Sequence, residues 1–261
     1  MDGRRRRPRR ARLQPIGAVS RVEHQPGWVV HRRPWRETSL LVEFFAREHG
    51  RIGLVAKGAR SARSPWRGLA EPFVPLSASW SRRGEMGTLT GLEPAGDRHA
   101  LAGRALWCGL YVNELLLRLL ERDDPHPTVF DACEAVFRGL AGGDEPQSML
   151  LRRFELALLS GMGVAPDFDF DAAGGDAIRP DGLYHLQPEV GFVPVERGGA
   201  GVFRGAAIRA LAAGSTDQRE TAREMRELMR TLIDHHLAGR ELATRRLLAG
   251  AKGKSTGGSD S

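Results

Sequence analysis

The sequence predicts a two-domain α+β protein: an N-terminal five-stranded barrel of the OB-fold type, followed by a mostly α-helical C-terminal domain. Three observations lead there. Between residues 27 and 92, five short runs rich in β-branched, aromatic and leucine residues are separated by Gly, Pro or charged clusters. From Leu101 onward, apolar residues recur every three or four positions, which is the helical period. Charge divides at nearly the same place: residues 1–90 hold 19 Lys+Arg against 7 Asp+Glu, and residues 91–261 hold 20 against 25. A chain of 261 residues with 41% hydrophobic composition is long enough for two modest cores.

Residues 1–24 carry no hydrophobic period and seven arginines between Arg4 and Arg12, and are expected to form a disordered basic leader. No apolar stretch follows those arginines, so they are not read as a secretion signal. The barrel is assigned to residues 25–95, with strands at Gly27–Arg33, Ser39–Ala46, Arg51–Lys57, Phe73–Trp80 and Gly87–Leu92. His49-Gly50 supplies a hairpin turn. Five short strands in so few residues close most economically as a small barrel.

The helical domain is assigned to residues 96–248. Its first helix spans Leu101–Arg122, with Leu101, Ala105, Cys108, Val112, Leu115 and Leu119 on one face. Asp124-Pro125-His126-Pro127 ends it, and Thr128 is the expected cap of a second helix to about Leu140. Ser148–Leu159 is apolar nearly all round, as a central helix should be. Residues 161–200 read as an irregular acidic insert with two extended pieces, Leu183–Leu186 and Gly191–Val195. A short helix follows at Phe203–Ala212, then a long one from Asp217 to His236 with Thr216 as cap and Gly239 as terminator. Residues 249–261 read as a disordered tail.

The remaining composition narrows the function. The two cysteines, Cys108 and Cys133, lie in apolar helical stretches, which argues against a disulfide framework or a cysteine zinc cluster and for a reducing cytoplasm. No run of about 18 apolar residues exists to span a membrane. Asp167, Asp169 and Asp171 alternate like calcium ligands, but Ala172 and Ile178 stand where that loop needs Gly and Glu. Gly253-Lys254-Ser255 resembles the end of a phosphate loop, but Leu248 replaces its first glycine. Asp234, His235 and His236 are consecutive on a helix and point about 100° apart, so they do not converge on one metal. No catalytic residue, metal or cofactor is therefore assigned, and the chain is read as no enzyme.

The basic first third reads as a nucleic-acid-binding surface. Even without the leader, residues 27–90 hold 11 basic against 5 acidic residues. Positive charge attracts phosphate through counterion release, and exposed aromatics offer platforms for bases. Trp28 and Trp80 sit inside strands and are expected to be core, whereas Trp35 and Trp66 sit in turns. The candidate DNA-binding residues are Arg32, Arg33, Trp35, Arg36, Arg51, Lys57, Arg60, Arg63, Trp66, Arg67, Arg82 and Arg83. Lys57–Arg67 is expected to be a flexible loop able to follow a phosphate chain. Two other classes stay open on these residues: an adaptor whose basic face binds an acidic protein, and an enzyme acting on nucleic acid.

Several long stretches resemble one family. HRRPWRETSLLVEFFAREHGRIGLVAKGAR (His31–Arg60), GLAEPFVPLSASWSRRGEMGTLTGLE (Gly68–Glu93), LYVNELLLRLLERDDPHPTVFD (Leu110–Asp131), LRRFELALLSGMGV (Leu151–Val164) and HHLAGRELATRRLL near the end are similar to RecO, the bacterial recombination mediator family. The resemblance covers about residues 25–248. It implies an N-terminal OB domain, binding to single- and double-stranded DNA, and annealing of complementary strands. It also implies action with RecR in loading RecA onto DNA coated by single-stranded-DNA-binding protein, at the bacterial nucleoid. Arg152 and Arg153, in the LRRFELALL stretch, are implied to hold the C-terminal tail of that coating protein. Some relatives carry a cysteine zinc site in the irregular insert; residues 161–200 here contain no cysteine, so none is expected.

Overall fold

The computed structural model describes residues 20–247. Five strands come first: β1 (Ser20–Trp35), β2 (Ser39–Ala46), β3 (Gly50–Ala56), β4 (Leu76–Arg82) and β5 (Gly87–Pro94). They form a closed barrel in the order β1-β2-β3-β5-β4, with β4 returning to pair with β1. All neighbours are antiparallel except β3 and β5. The turn at His49-Gly50 closes the β2–β3 hairpin as expected, with Ala46 opposite Gly50.

Two strand starts differ from the sequence reading by several residues, each for a tertiary reason. β1 begins at Ser20, within the stretch assigned to a disordered leader; residues 1–19 lie outside the described residues. Its first half pairs with β4 (Val22 opposite Trp80) and its second half with β2 (Trp28 opposite Phe45). Residues 20–25 contain a single apolar residue, Val22, and none of the six is fully buried, so no hydrophobic pattern marks the strand. β4 begins at Leu76 rather than Phe73, because Phe73 leaves the ladder with φ of 64°. Its ring instead packs edge-on against Phe137 at 5.2 Å.

The helices follow: α1 (Gly103–Leu119), α2 (Pro127–Gly142), α3 (Gln147–Gly161), α4 (Gly205–Ala213) and α5 (Arg219–Leu237). Thr128 does not cap α2. Pro127 occupies the first turn, where its missing N–H costs nothing, and His126 is the flanking residue. Nor is Thr216 the residue that flanks α5; that is Gln218, whose N–H donates to the Thr216 hydroxyl. The insert is more regular than expected. β6 (Leu183–Gln187), β7 (Gly191–Val195) and β8 (Val202–Arg204) form an antiparallel sheet in the order β7-β6-β8. β8 has only three residues, too few for periodicity, and takes Phe203 away from the helix assigned to it.

The barrel holds a core of its own, including Phe44, Ile52, Leu54, Leu76 and Trp80. The larger core unites the helices with residues on the outside of the barrel: Trp28, Val30, Phe45 and Phe73. All eight residues of β2 are therefore buried, one face by the barrel and the other by the helices. Trp28 meets Phe137 at 5.2 Å, and Phe45 meets Phe130 at 5.7 Å. Charged groups seal the rim of this junction. Glu43 accepts from Arg51 (2.9 Å) and Arg122, Arg47 pairs with Asp131 (2.9 Å), and Arg82 pairs with Asp123. Among the described residues, no helix is long and apolar enough to cross a membrane.

Candidate nucleic-acid interface

The end of β1 projects Arg32, Arg33 and Trp35 into solvent, beside the turn of residues 36–38. Arg36 takes φ of 53° there, which lets β1 reverse tightly into β2. The loop after β3 is laid across this turn. Arg60 N–H donates to the Thr38 carbonyl at 2.8 Å, and its guanidinium to the Glu37 carbonyl at 3.2 Å.

That loop, expected over Lys57–Arg67 to follow a phosphate chain, is folded back on itself. It winds through successive tight turns, with Ser61, Ser64, Arg67 and Leu69 each donating to the carbonyl three residues earlier. Ala59 and Ala70 are buried in the barrel core, and Trp66 and Leu69 pack against it. The small residues permit the winding, and the apolar ones anchor it. The loop thereby holds Lys57, Arg60, Arg63 and Arg67 outward.

Arg32, Arg33, Arg60, Trp66 and Arg67 come together around a groove of about 550 Å³, with Leu40, Ala59 and Pro34 supplying apolar surface. Trp66 is half-buried, so it lines the groove with part of its ring rather than standing free. Trp35 is 39% exposed, and the Arg33 guanidinium lies 6.0 Å from its ring centre. Arg36, Lys57 and Arg63 are exposed in the same turn and loop.

Two candidates are committed elsewhere. Arg51 is mostly buried at the barrel–helix junction, where it donates to Glu43 and to the Leu120 carbonyl at 3.1 Å. Arg82 donates to both carboxylate oxygens of Asp123, a contact that raises its pKa further. Both arginines complete the junction. Arg83 is exposed in the β4–β5 turn and does not line the groove.

Arg152 and Arg153 have separate surroundings. Arg152 is 7% exposed and donates to the fully buried Glu155, which also accepts from the Tyr111 hydroxyl at 2.8 Å. Burial and the Glu155 charge hold that phenol in its neutral form. Among the described residues nothing pairs with Arg152 Nε or Glu155 Oε2. Arg153 is solvent-accessible and donates to Glu145 at 2.6 Å, which holds that carboxyl below its usual range.

Two carboxylates of the acidic insert are directed at its own backbone. Asp167 accepts from the N–H groups of Asp169 and Phe170, and Asp171 from those of Ala173 and Gly174. Among the described residues no three His, Cys, Asp or Glu side chains are grouped to hold a metal ion. Cys108 and Cys133 are buried thiols, and burial raises the pKa of each.

Comparison with known proteins places this geometry in a family. The model described as Recombination protein O N terminal matches residues 19–97, and Recombination protein O C terminal matches residues 101–246. The chain belongs to the RecO family. The DNA repair protein RecO of Azoarcus sp. (strain BH72) is 43% identical over 238 residues, covering 89% of this chain and 98% of its own. That of Laribacter hongkongensis is 45% identical over 235 residues, covering 87% and 94%. That of Methylococcus capsulatus is 43% identical over 231 residues, covering 88% and 95%. RecO membership assigns the chain to DNA repair, and the two matched regions meet between residues 97 and 101, where the barrel gives way to helices.

The sequence reading missed Glu43, Arg122 and Glu71. Glu43 and Arg122 join strands to helices across 79 residues of chain. Glu71 pairs with Arg32 inside the groove. No local pattern marks any of the three.

Proposed function

We propose that this RecO protein binds single- and double-stranded DNA along the groove between the β1–β2 turn and the 57–70 loop, and anneals complementary strands. The observation that carries the reading is the groove itself, four guanidiniums with apolar surface between them. Arg forks suit phosphate oxygens, and partly exposed indoles suit bases. The closed five-stranded barrel fits an OB fold, which binds oligonucleotides next to its first turn. Annealing needs no catalytic group: cations screen the repulsion between two strands, and base pairing supplies the free energy.

In this reading the protein works without enzymatic turnover in the bacterial cytoplasm. It acts with RecR to help RecA load onto DNA coated by single-stranded-DNA-binding protein. The helical domain would receive the tail of that coating protein. Arg153 is the more accessible of its two proposed contacts, and Arg152 is held next to it by Glu155.

The test is charge reversal at two exposed loop positions. Arg60→Glu with Arg63→Glu is expected to abolish most DNA binding while the melting temperature is nearly unchanged. Retained DNA affinity would favour the adaptor reading instead. If about 4–6 phosphates are contacted, the logarithm of wild-type affinity should fall against the logarithm of salt with a slope of about −3 to −5.

A further inference from the structure

One carboxylate lines the basic groove. Glu71 Oε2 lies 2.6 Å from Arg32 Nη2, with side chains 23% and 38% exposed. The other charged groups lining the groove are Arg33, Arg60 and Arg67. A carboxylate and a phosphate offer a guanidinium the same thing, paired oxygens that accept parallel N–H bonds. Glu71 already occupies one end of the Arg32 guanidinium, so a phosphate that takes the full fork must compete with it. The backbone on either side of Glu71 is anchored by Ala70 in the barrel core and by Phe73 in the helical core, both almost fully buried, so a displaced carboxylate stays within reach of Arg32.

We infer that Glu71 is a built-in competitor for phosphate at Arg32, which limits how tightly the groove holds single-stranded DNA. The inference rests on the DNA-binding reading above and adds a release device to it. A strand held too firmly is not surrendered to its complement; a carboxylate that reclaims Arg32 favours the hand-over.

The test uses the full chain and a labelled oligothymidylate, with anisotropy followed across a salt series. Glu71→Gln is expected to bind about two- to fivefold tighter, the range of one partly exposed ion pair. Its salt slope should steepen by about 0.7, for one added phosphate contact on a single strand. Glu93→Gln, the same charge change at an exposed β5 position outside the groove, is the control. Arg32→Ala should cost more affinity in the Glu71→Gln background than in wild type.

Glu71→Gln no tighter than Glu93→Gln, or Arg32→Ala costing the same in both backgrounds, overturns the inference. Arg32→Ala also gives an arm in which Glu71 is untouched: in wild type it should cost less than Arg33→Ala, and an equal or greater cost counts against the competitor. The Arg60→Glu, Arg63→Glu variant separates the two claims. If it keeps its DNA affinity, the DNA-binding reading fails and takes Glu71 with it; if it loses binding, the Glu71 result stands by itself.

Discussion

Arg51 and Arg60 are nine positions apart and equally basic in sequence, yet their surroundings give them different work. Arg60 faces solvent beside the groove, while Arg51 satisfies Glu43 and the Leu120 carbonyl. Arg51→Ala leaves both acceptors short of a donor in a mostly dehydrated junction. It should cost about 1–3 kcal/mol in urea denaturation and change DNA affinity less than twofold under native conditions. Titration adds a second test at this scale. Burial lowers the pKa of His49, His99 and His236 below the ordinary value. Their unfolded forms therefore take up protons first as pH falls through about 6.5, and the unfolded state gains on the native one. Melting temperature should drop between about pH 7 and pH 5.5. His99, stacked on Trp28 at 5.6 Å, should contribute, so His99→Gln should flatten part of that drop. The composition showed that histidines exist; only packing shows which are dehydrated.

The elements themselves were largely legible. Five strands and five helices stand within a few residues of where periodicity and Gly/Pro punctuation put them, because those signals act over one or two turns of chain. Misplaced boundaries share one cause: a residue answering to a distant partner. Phe73 follows Phe137, and the start of β1 follows β4. The β2–β3 turn carries the same lesson in one atom. Gly50 has φ of 69°, and a Cβ there would sit 2.1 Å from the Asp124 carbonyl oxygen. Gly50→Ala thus meets both backbone strain and a collision with main chain that has no rotamer to yield. A loss of about 2–4 kcal/mol in chemical denaturation is expected. The turn signal in His49-Gly50 was visible in the sequence, but the wall behind it was not.

At the scale of the molecule, the barrel keeps a core of its own and shares a second, larger one with the helices. Trp28, Val30, Phe45 and Phe73 belong to strands or their loops but are buried among helices. Unfolding should therefore be a single event, with barrel tryptophan fluorescence and helical circular dichroism giving coincident urea transitions. A barrel made alone from residues 1–98 should self-associate and bind hydrophobic dyes, since those four side chains would form one exposed apolar patch. Separate transitions, or a monomeric isolated barrel, would show that the junction contributes little.

The amino-acid sequence by itself determined the class of most elements, the change from strands to helices near residue 100, the basic character of the first third, and the RecO resemblance carried by its long ordered stretches. All of these are local or compositional. Tertiary structure decided which arginines meet solvent and which bind the junction, that the 57–70 loop winds through tight turns, and that Glu71 shares the groove with Arg32. The physical reason is reach. A helix or strand is set by neighbours a few residues away, whereas a guanidinium goes to whichever carboxylate the fold brings within about 3 Å. For Arg47 that partner is 84 residues along the chain.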